Sequence, residues 1–427
     1  MGSGASRARR AAESLLEALR ERNWMTGLVL PMVAAVSVGI ALVIVAGANG
    51  GSGAMPPESA GFPPARDASA DFTGPSAQAR AIASSSTSEV AAGSAGREPA
   101  AWASSDGGAT WTRATGMAGR AGNELTSVVH GAAGWLAVGG SGTQGRHGQS
   151  GPLSGGPPAG GPPLVEGSVG GTAWTEADGE GTFSGNGLVT AAAAAGPAGY
   201  VIVGRQSVSG QTTAAAWYSR SLTGWAQAGD AGTGDLQGDG NRQMNAVTAA
   251  ARGFTAVGSS GNRPAVWRSA SGRAWAETTL PLPSGAARAA LGYVAASGAS
   301  VTAAGTATSP AGQPVPFAAV SPNGGVSWKL EMLPLPRLAS AASVTALTAT
   351  GRGFTATGIY GQHVIVWAKA GRQASWTEAA PAVRGLSGPG THEITALSSS
   401  GTTLTGVGFS ATAATESPTL WQTPLRG

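Results

Sequence analysis

The sequence predicts an all-β protein, a seven-bladed β-propeller that follows an N-terminal transmembrane helix. Three observations support this prediction. Seven times, at intervals of roughly 50 residues, a Val/Ala-rich run ends in Gly. A second short run and a turn follow each time, and a Trp usually closes the unit. Near the N-terminus, the stretch 27–47 contains no charged residue.

Each repeat contains four short runs of β-type residues, and four short strands at this period are typical of a propeller blade. The second run ends in Gly93, Gly139, Gly204, Gly258, Gly305, Gly358 or Gly408. The third run is centred on Trp102, Val165, Trp217, Trp267, Ala319, Trp367 or Trp421. The fourth is marked by Trp111, Trp174, Trp225, Trp275, Trp328 or Trp376. A repeat of this length cannot bury its apolar face alone, so the copies are expected to pack on one another.

The last repeat lacks a fourth run, which a closed ring has to obtain from elsewhere. We expect the segment Ala68–Thr73 to pair with the strand around Trp421, with Phe72 in the position of the missing Trp. An array of β-sandwiches would need roughly 100 residues per unit, and a β-solenoid usually has a shorter period. Six or eight blades remain the alternative counts.

The composition excludes several classes of function. The chain has no Cys, so disulfides, thiol catalysis and lipid attachment through an N-terminal Cys are excluded. Charged residues make up 11% of the chain, but its 13 Trp argue against a disordered tail. The net charge is +4, and the repeats contain no run of Lys or Arg, so no nucleic-acid partner is expected.

The N-terminal part predicts a membrane anchor. Residues 1–24 predict a cytoplasmic amphipathic segment, and 25–47 a transmembrane helix long enough to cross a bilayer core of about 30 Å. Five Arg precede the span, so the positive-inside rule places the repeats outside a bacterial cell membrane. Residues 48–66 predict a flexible linker, and 67–427 the extracytoplasmic propeller. The alternative is a signal peptide cleaved near Ala46-Gly47-Ala48.

Two of the turns before the fourth run share a motif. The first is Ser104-Ser105-Asp106-Gly107-Gly108-Ala109-Thr110-Trp111, and the second runs from Ser321 to Trp328. Both resemble the Asp-box, or BNR, turn, which reads Ser, any, Asp, any, Gly, any, Thr, Trp. The resemblance marks these residues as structural turn positions: Ser104, Asp106, Gly108, Trp111, Ser321, Asn323, Gly325 and Trp328.

The resemblance implies a sialidase-like propeller fold, but the catalytic motifs of sialidases are absent. No Arg-Ile-Pro signature occurs, and the chain has only four Tyr. We therefore expect no catalytic residue and no cofactor. Propellers with this turn also include receptors and assembly factors, which are not enzymes.

Two acidic, Gly-rich loops are candidates for Ca²⁺ binding. They follow the fourth runs of the second and third units, and adjacent blades are expected to bring them together. The candidate ligands are Glu176, Asp178, Glu180, Asp230, Asp235 and Asp239.

The sequence thus predicts a non-catalytic binding or scaffold module attached to the lipid bilayer through 25–47. Its partner is expected to be a protein, peptide or glycan of the cell envelope, within a secretion or assembly complex. The alternative is a divergent glycoside hydrolase of sialidase-like fold, which needs two carboxylates about 5–10 Å apart.

Overall fold

The structure is a computed structural model that describes residues 62–119, 121–141, 163–177, 181–185, 187–230, 235–238, 240–337, 339–351, 353–371, 374–401 and 403–425. The segments predicted as cytoplasmic, transmembrane and most of the linker lie outside these residues. Within the described ranges, no helix is long and apolar enough to cross a bilayer. The regular elements there are β-strands.

The strands form seven sheets, each of which is one blade of a β-propeller. The first blade contains β2 (Gln78–Ser84), β3 (Glu89–Ala95), β4 (Glu98–Ser104) and β5 (Thr112–Arg113). The second contains β6 (Asn123–Gly131), β7 (Gly134–Ser141), β8 (Leu164–Ser168) and β9 (Thr175–Glu176). The third contains β10 (Val189–Gly196), β11 (Gly199–Val208), β12 (Gln211–Ser219) and β13 (Ala226–Gln227). In these three blades the strands pair in the order in which they occur in the chain.

The remaining blades repeat this order. The fourth contains β15 (Arg242–Ala250), β16 (Gly253–Ser260), β17 (Arg263–Ser269) and β18 (Ala274–Thr279), and β14 (Gly229–Asp230) pairs with β18 in parallel. The fifth contains β19 (Arg288–Ser297), β20 (Ser300–Thr308), β21 (Pro314–Ser321) and β22 (Lys329–Met332). The sixth contains β23 (Ser343–Thr350), β24 (Gly353–Tyr360), β25 (His363–Ala370) and β26 (Thr377–Ala379). The seventh contains β27 (Thr391–Ser400), β28 (Thr403–Ala411), β29 (Glu416–Pro424) and β1 (Arg66–Asp67).

A β-bulge in every inner strand explains the periodic glycine. Each bulge lies opposite the periodic Gly near the end of the second strand, for example Gly258 opposite Met244. A Cβ atom on Gly258 would lie 1.9 Å from the backbone oxygen of Gln243, and the equivalent distances in the other blades are 1.9–2.3 Å. Only glycine allows the bulged strand to approach this closely.

The core consists of seven apolar clusters, and each cluster combines side chains from two neighbouring blades. The third and fourth blades, for example, share Val203, Leu236, Phe254, Trp267 and Trp275. This arrangement confirms the expectation that a single repeat packs on its neighbours.

The strand β1 closes the ring between the last blade and the first. Arg66 pairs with Leu420, and Asp67 with Thr419, in an antiparallel ladder. The amide of Ala68 extends this ladder with a hydrogen bond of 2.9 Å to the oxygen of Pro418. The predicted closure by the N-terminal segment is therefore confirmed, with the pairing strand slightly earlier than Ala68–Thr73.

The position predicted for Phe72 is wrong. Its ring lies 5.2 Å from Trp102 and 5.3 Å from Trp111, so it packs in the first blade. In the seventh blade, the ring of Phe62 stacks on Trp421 instead, at 6.2 Å. The prediction failed because Phe72 belongs to the connection that leads into the first blade. There it covers the two indoles, as Phe183 does in the third blade.

Side chains of the bulge residues also link neighbouring blades around the central axis. Asn245 Nδ2 donates to Leu291 O at 2.9 Å, and Thr345 Oγ1 to Ile394 O at 2.7 Å. Thr395 Oγ1 donates to Ala79 O at 3.1 Å, across the closure of the ring. In the first blade the bulge residue is Arg80, which forms a 2.8 Å ion pair with Glu124. The bulges therefore connect blades as well as bend strands.

Candidate functional site

The propeller has two faces with different loops. Because the strands of a blade alternate in direction, the turns between the first and second strands share a face with those between the third and fourth. We call this face the turn face. The opposite face carries the turns between the second and third strands and the connections between blades. We call it the connector face.

The turn at Ser104–Trp111 is held by its own side chains. Ser104 Oγ accepts a 2.9 Å hydrogen bond from Gly108 N and donates one of 2.7 Å to Asp106 Oδ1. Asp106 in turn accepts the amide and the hydroxyl of Thr110, at 2.9 and 2.6 Å. The indole of Trp111 donates to Gly108 O at 3.1 Å. These bonds satisfy the polar groups within the turn itself.

Hydrogen bonds also set the charge of Asp106. Those from the side chain and backbone of Thr110, with that from Ser104, lower the pKa of Asp106 from 3.8 to about 2. A carboxylate held in this way stays ionised at neutral pH and has its acceptors occupied. It acts as a turn former rather than as an acid or base.

The turn at Ser321–Trp328 has the same pattern with different side chains. Ser321 Oγ accepts from Gly325 N at 2.9 Å, and Ser327 N donates to Asn323 Oδ1 at 2.9 Å. The indole of Trp328 donates to Gly325 O at 2.9 Å.

Two turns that look eroded in the sequence retain part of this geometry. Ser168 Oγ accepts from Gly171 N at 2.8 Å, and Ser269 Oγ accepts from Gly272 N at 2.8 Å. In both, the following Trp donates its indole N–H to the glycine oxygen, at 2.9 Å for Trp174. The Ser-to-Gly and Trp-to-Gly bonds therefore do not need the Asp.

Only part of the predicted Ca²⁺ ligand set falls within the described residues. Asp178, Glu180 and Asp239, with the side chain of Asp230, lie outside them. Asp235 Oδ1 accepts the amide of Glu277 at 3.2 Å, and Glu176 is exposed on β9. Among the described residues, no three acidic or His side chains come together as a metal site.

One cleft on the turn face lies at the third blade. It has a volume of about 430 Å³ and is lined by Ala132, Gly196, Pro197, Ala198, Gly199, Tyr200, Tyr218, Arg220, Ser271 and Arg273. The guanidinium of Arg273 lies over the ring of Tyr218, 4.9 Å from its centre. The hydroxyl of Tyr200 accepts from Ala133 N and donates to Gly134 O, both at 2.9 Å. Burial raises the pKa of Tyr200, so its hydroxyl stays neutral and fixes the wall of the cleft.

A second cleft of about 210 Å³ lies on the same face at the fourth blade. Arg252, Phe254, Thr255 and Arg268 line it, and Gly324 borders it from the turn of the fifth blade. A Cβ on Gly325 would lie 3.1 Å from Arg268 Cδ, so the glycine of that turn leaves room for the arginine. We call these two cavities, with Arg220, Arg252, Arg268 and Arg273, the arginine clefts.

The four arginines are not neutralised by acidic side chains. Within the described ranges, none of them forms an ion pair, and neither cleft is lined by Asp or Glu. Guanidinium groups bind carboxylates and phosphates with two parallel hydrogen bonds. The arrangement is thus suited to binding an anion and contains no acid–base pair.

The sequence did not predict these clefts. Its arginines are scattered singly, and no run of basic residues marks the site. Arg220 lies in a turn of the third blade, and Arg252 and Arg273 lie in turns of the fourth. Arg268 lies near the end of β17. The signal that was available is the absence of acidic residues at the turn-face positions between 197 and 276.

No protein-family model and no curated protein matches the chain. Solved structures do match. YCF48 bound to D1 peptide has a TM-score of 0.52 and 13% identity, over 87% of this chain and 99% of that one. The GH74 xyloglucanase from Xanthomonas campestris has a TM-score of 0.52 and 14% identity, over 85% of this chain. The chain spans about half of that enzyme, since the match covers 54% of its length.

A Trypanosoma rangeli sialidase in complex with sialic acid also matches, with a TM-score of 0.42 and 12% identity, over 81% of this chain and 54% of that one. The similar structures with a TM-score above 0.5 therefore include one with a bound peptide and a xyloglucanase. At these identities the similarity concerns the fold, and the chain has the fold of a seven-bladed β-propeller.

Proposed function

We propose that this protein is a membrane-anchored, extracytoplasmic binding module that holds an acidic peptide segment of an envelope protein in the arginine clefts. One observation carries the proposal, namely that four arginines without acidic partners line two cavities on one face. An exposed cation without a counter-charge costs little in water, and it is available to an anionic partner.

Three further observations support a peptide as the ligand. The clefts are lined by apolar and aromatic surface as well as arginine, including Pro197, Tyr218 and Phe254. The two cavities lie on neighbouring blades, as an extended ligand would require. A propeller of this fold is known with a peptide bound. A glycan of the envelope is the other class of partner, and the binding assay below includes one.

The extracytoplasmic location rests on the sequence. A span of 25–47 preceded by arginines predicts that the propeller is exported and stays anchored. Alkaline phosphatase fused after residue 427 tests this, because the enzyme is active only outside the cytoplasm. Activity in the membrane fraction supports the location. Activity released into the medium would show that the span is a cleaved signal.

Binding is tested with fluorescently labelled peptides and the full-length protein. An Asp/Glu-rich decapeptide should bind, and a Lys-rich one should not. Replacement of Arg220 and Arg273 by Ala should weaken binding at least ~10-fold, which corresponds to about 1.4 kcal/mol. The matched control removes Arg97 and Arg263, two arginines of the connector face.

Three outcomes would contradict the proposal. The first is equal affinity of the two arginine variants for the acidic peptide. The second is preferential binding of a neutral oligosaccharide or of single-stranded DNA. The third is hydrolysis of fluorogenic glycosides, which would favour the alternative of a divergent glycoside hydrolase. That alternative needs a carboxylate pair, and no carboxylate lines the clefts.

A further inference from the structure

At one buried position the second blade has an acidic residue, where the fifth blade has Ala319. In five blades, a Trp occupies the place two residues after the third-strand partner of the periodic glycine: Trp102, Trp217, Trp267, Trp367 and Trp421. In the second blade, Gly139 pairs with Leu164, so this place belongs to Glu166. The predicted centre of this run, Val165, is therefore one residue too early. The structure therefore replaces a buried indole with a carboxylate.

The hydrogen bond at this position is also reversed. Trp267 donates its indole N–H to Asp235 O at 2.8 Å, and Trp367 donates to Pro334 O at 2.7 Å. Both acceptors lie in the connection that enters the blade. In the second blade, the connection donates instead, from Ala118 N to Glu166 Oε1 at 2.9 Å.

This bond leaves half of the carboxylate without a partner. Glu166 is 0% exposed, and its Oε2 atom is buried with no hydrogen bond. Its directly opposed residue across the ladder is a second acid, Glu176. Opposed residues of a β-ladder project from the same face of the sheet, and like charges there repel. No described Lys or Arg forms an ion pair with either acid.

A buried carboxylate in this setting is costly to ionise. Burial, followed by repulsion from Glu176, raises the pKa of Glu166 to about 7. Burial of an ionised carboxylate is costly unless a proton or a cation neutralises it. Protonation alone would still leave Oε2 without a hydrogen-bond partner in the fold.

We propose that Glu166 and Glu176 bind a divalent cation of the Ca²⁺ class at the outer edge of the second blade. Glu166 supplies a fixed ligand that the amide of Ala118 orients, and the exposed Glu176 supplies a mobile one. Both donors are hard oxygen atoms, which favours Ca²⁺ over Zn²⁺. The cation would tie the connection at Ala118 to the outer strands β8 and β9. This pairing differs from the predicted loop set, because it joins Glu176 to a strand residue.

The test is a thermal melt of the full-length protein with and without millimolar CaCl₂. Ca²⁺ should raise the melting temperature of the native protein and should not do so in Glu166→Gln or Glu176→Gln. The matched control is Glu378→Gln, because Glu378 is exposed at the same ladder position opposite Trp367. A second control, Asp235→Asn, removes a carboxylate of the predicted acidic loop and leaves Glu166 and Glu176 unchanged. Both controls should retain the full response to Ca²⁺.

The response should also depend on pH. The proton competes with the cation for Glu166, so the Ca²⁺-induced shift should be larger at pH 8 than at pH 6. Calorimetry of Ca²⁺ binding to the exposed-site variant Glu176→Gln provides a second measurement, should Glu166→Gln fail to fold. The proposal would be overturned if Ca²⁺ does not change the melting temperature at pH 8, or if Glu176→Gln retains the Ca²⁺-induced shift in melting temperature. Neither result would bear on the arginine clefts.

Discussion

At the scale of single residues, position in the blade decides what a side chain does. The periodic glycines exist because a backbone oxygen of the bulged strand occupies the space where a Cβ would lie. The sequence revealed these glycines but not their reason, since a bulge leaves no mark other than the glycine itself. It also misplaced the centre of the third run in the second blade. A Glu after Leu and Val is typical of the end of a strand. The pairing register instead places Glu166 inside the strand, and its side chain is buried.

Replacement of Gly258 by Ala should destabilise the protein by about 2–4 kcal/mol, because the new Cβ would clash with Gln243 O. The control is Gly351→Ala, where a Cβ would meet nothing within 4 Å. Urea unfolding of both variants provides the measurement. Equal stability of the two variants would show that the bulge relaxes freely.

Asp106 predicts a specific pH dependence of stability. Its folded-state pKa of about 2 lies below the usual 3.8, so its ionised form is stabilised by folding. This contribution is present above about pH 4 and is lost as the pH falls toward 2. We expect Asp106→Asn to have a lower urea midpoint than the native protein at pH 6, and the gap to narrow between pH 4 and 2.5. A gap that stays constant over this range would contradict the hydrogen-bonding account. The turn at Asn323 needs no such charge.

At the scale of elements, the two-residue strand β1 and the connection after it complete the ring. Four short runs per unit and the missing last run were enough to predict which segment closes the propeller. The exact residues that pair with the last blade were not predictable, because a connection and a strand have the same Gly/Ala/Ser composition here. Phe72 shows the difference. It lies only a few residues after β1, yet it packs on Trp102 and Trp111 of the next blade.

Phe72→Ala should destabilise the protein by about 3–5 kcal/mol, because the ring is fully buried between the last and first blades. Val169→Ala is the matched control, since Val169 is 84% exposed and its truncation should change stability little. Thermal unfolding measures both. A small loss of stability in Phe72→Ala would mean that the packing of this side chain between the last and first blades contributes little to the stability of the closed propeller.

At the scale of the whole molecule, the sequence predicted the seven blades and the shared cores but not the arginine clefts. Periodicity reports on packing, which repeats in every blade, whereas the four arginines of the clefts belong to the third and fourth blades. Their residues lie in turns and at a strand end, where no period applies. Asp235, a described residue of the predicted acidic loops, lies in a connection between blades on the opposite face.

The most direct test of the proposed function is site-specific photo-crosslinking in intact cells. A photoreactive residue at Ser271, in the cleft of the third blade, should form an adduct with an envelope protein that carries an acidic segment. One at Gln211, which is exposed on the connector face, should not. The adduct from Ser271 should disappear when Arg220 and Arg273 are replaced by Ala. An adduct that survives the loss of both arginines, or one that forms only from Gln211, would contradict binding at the arginine clefts.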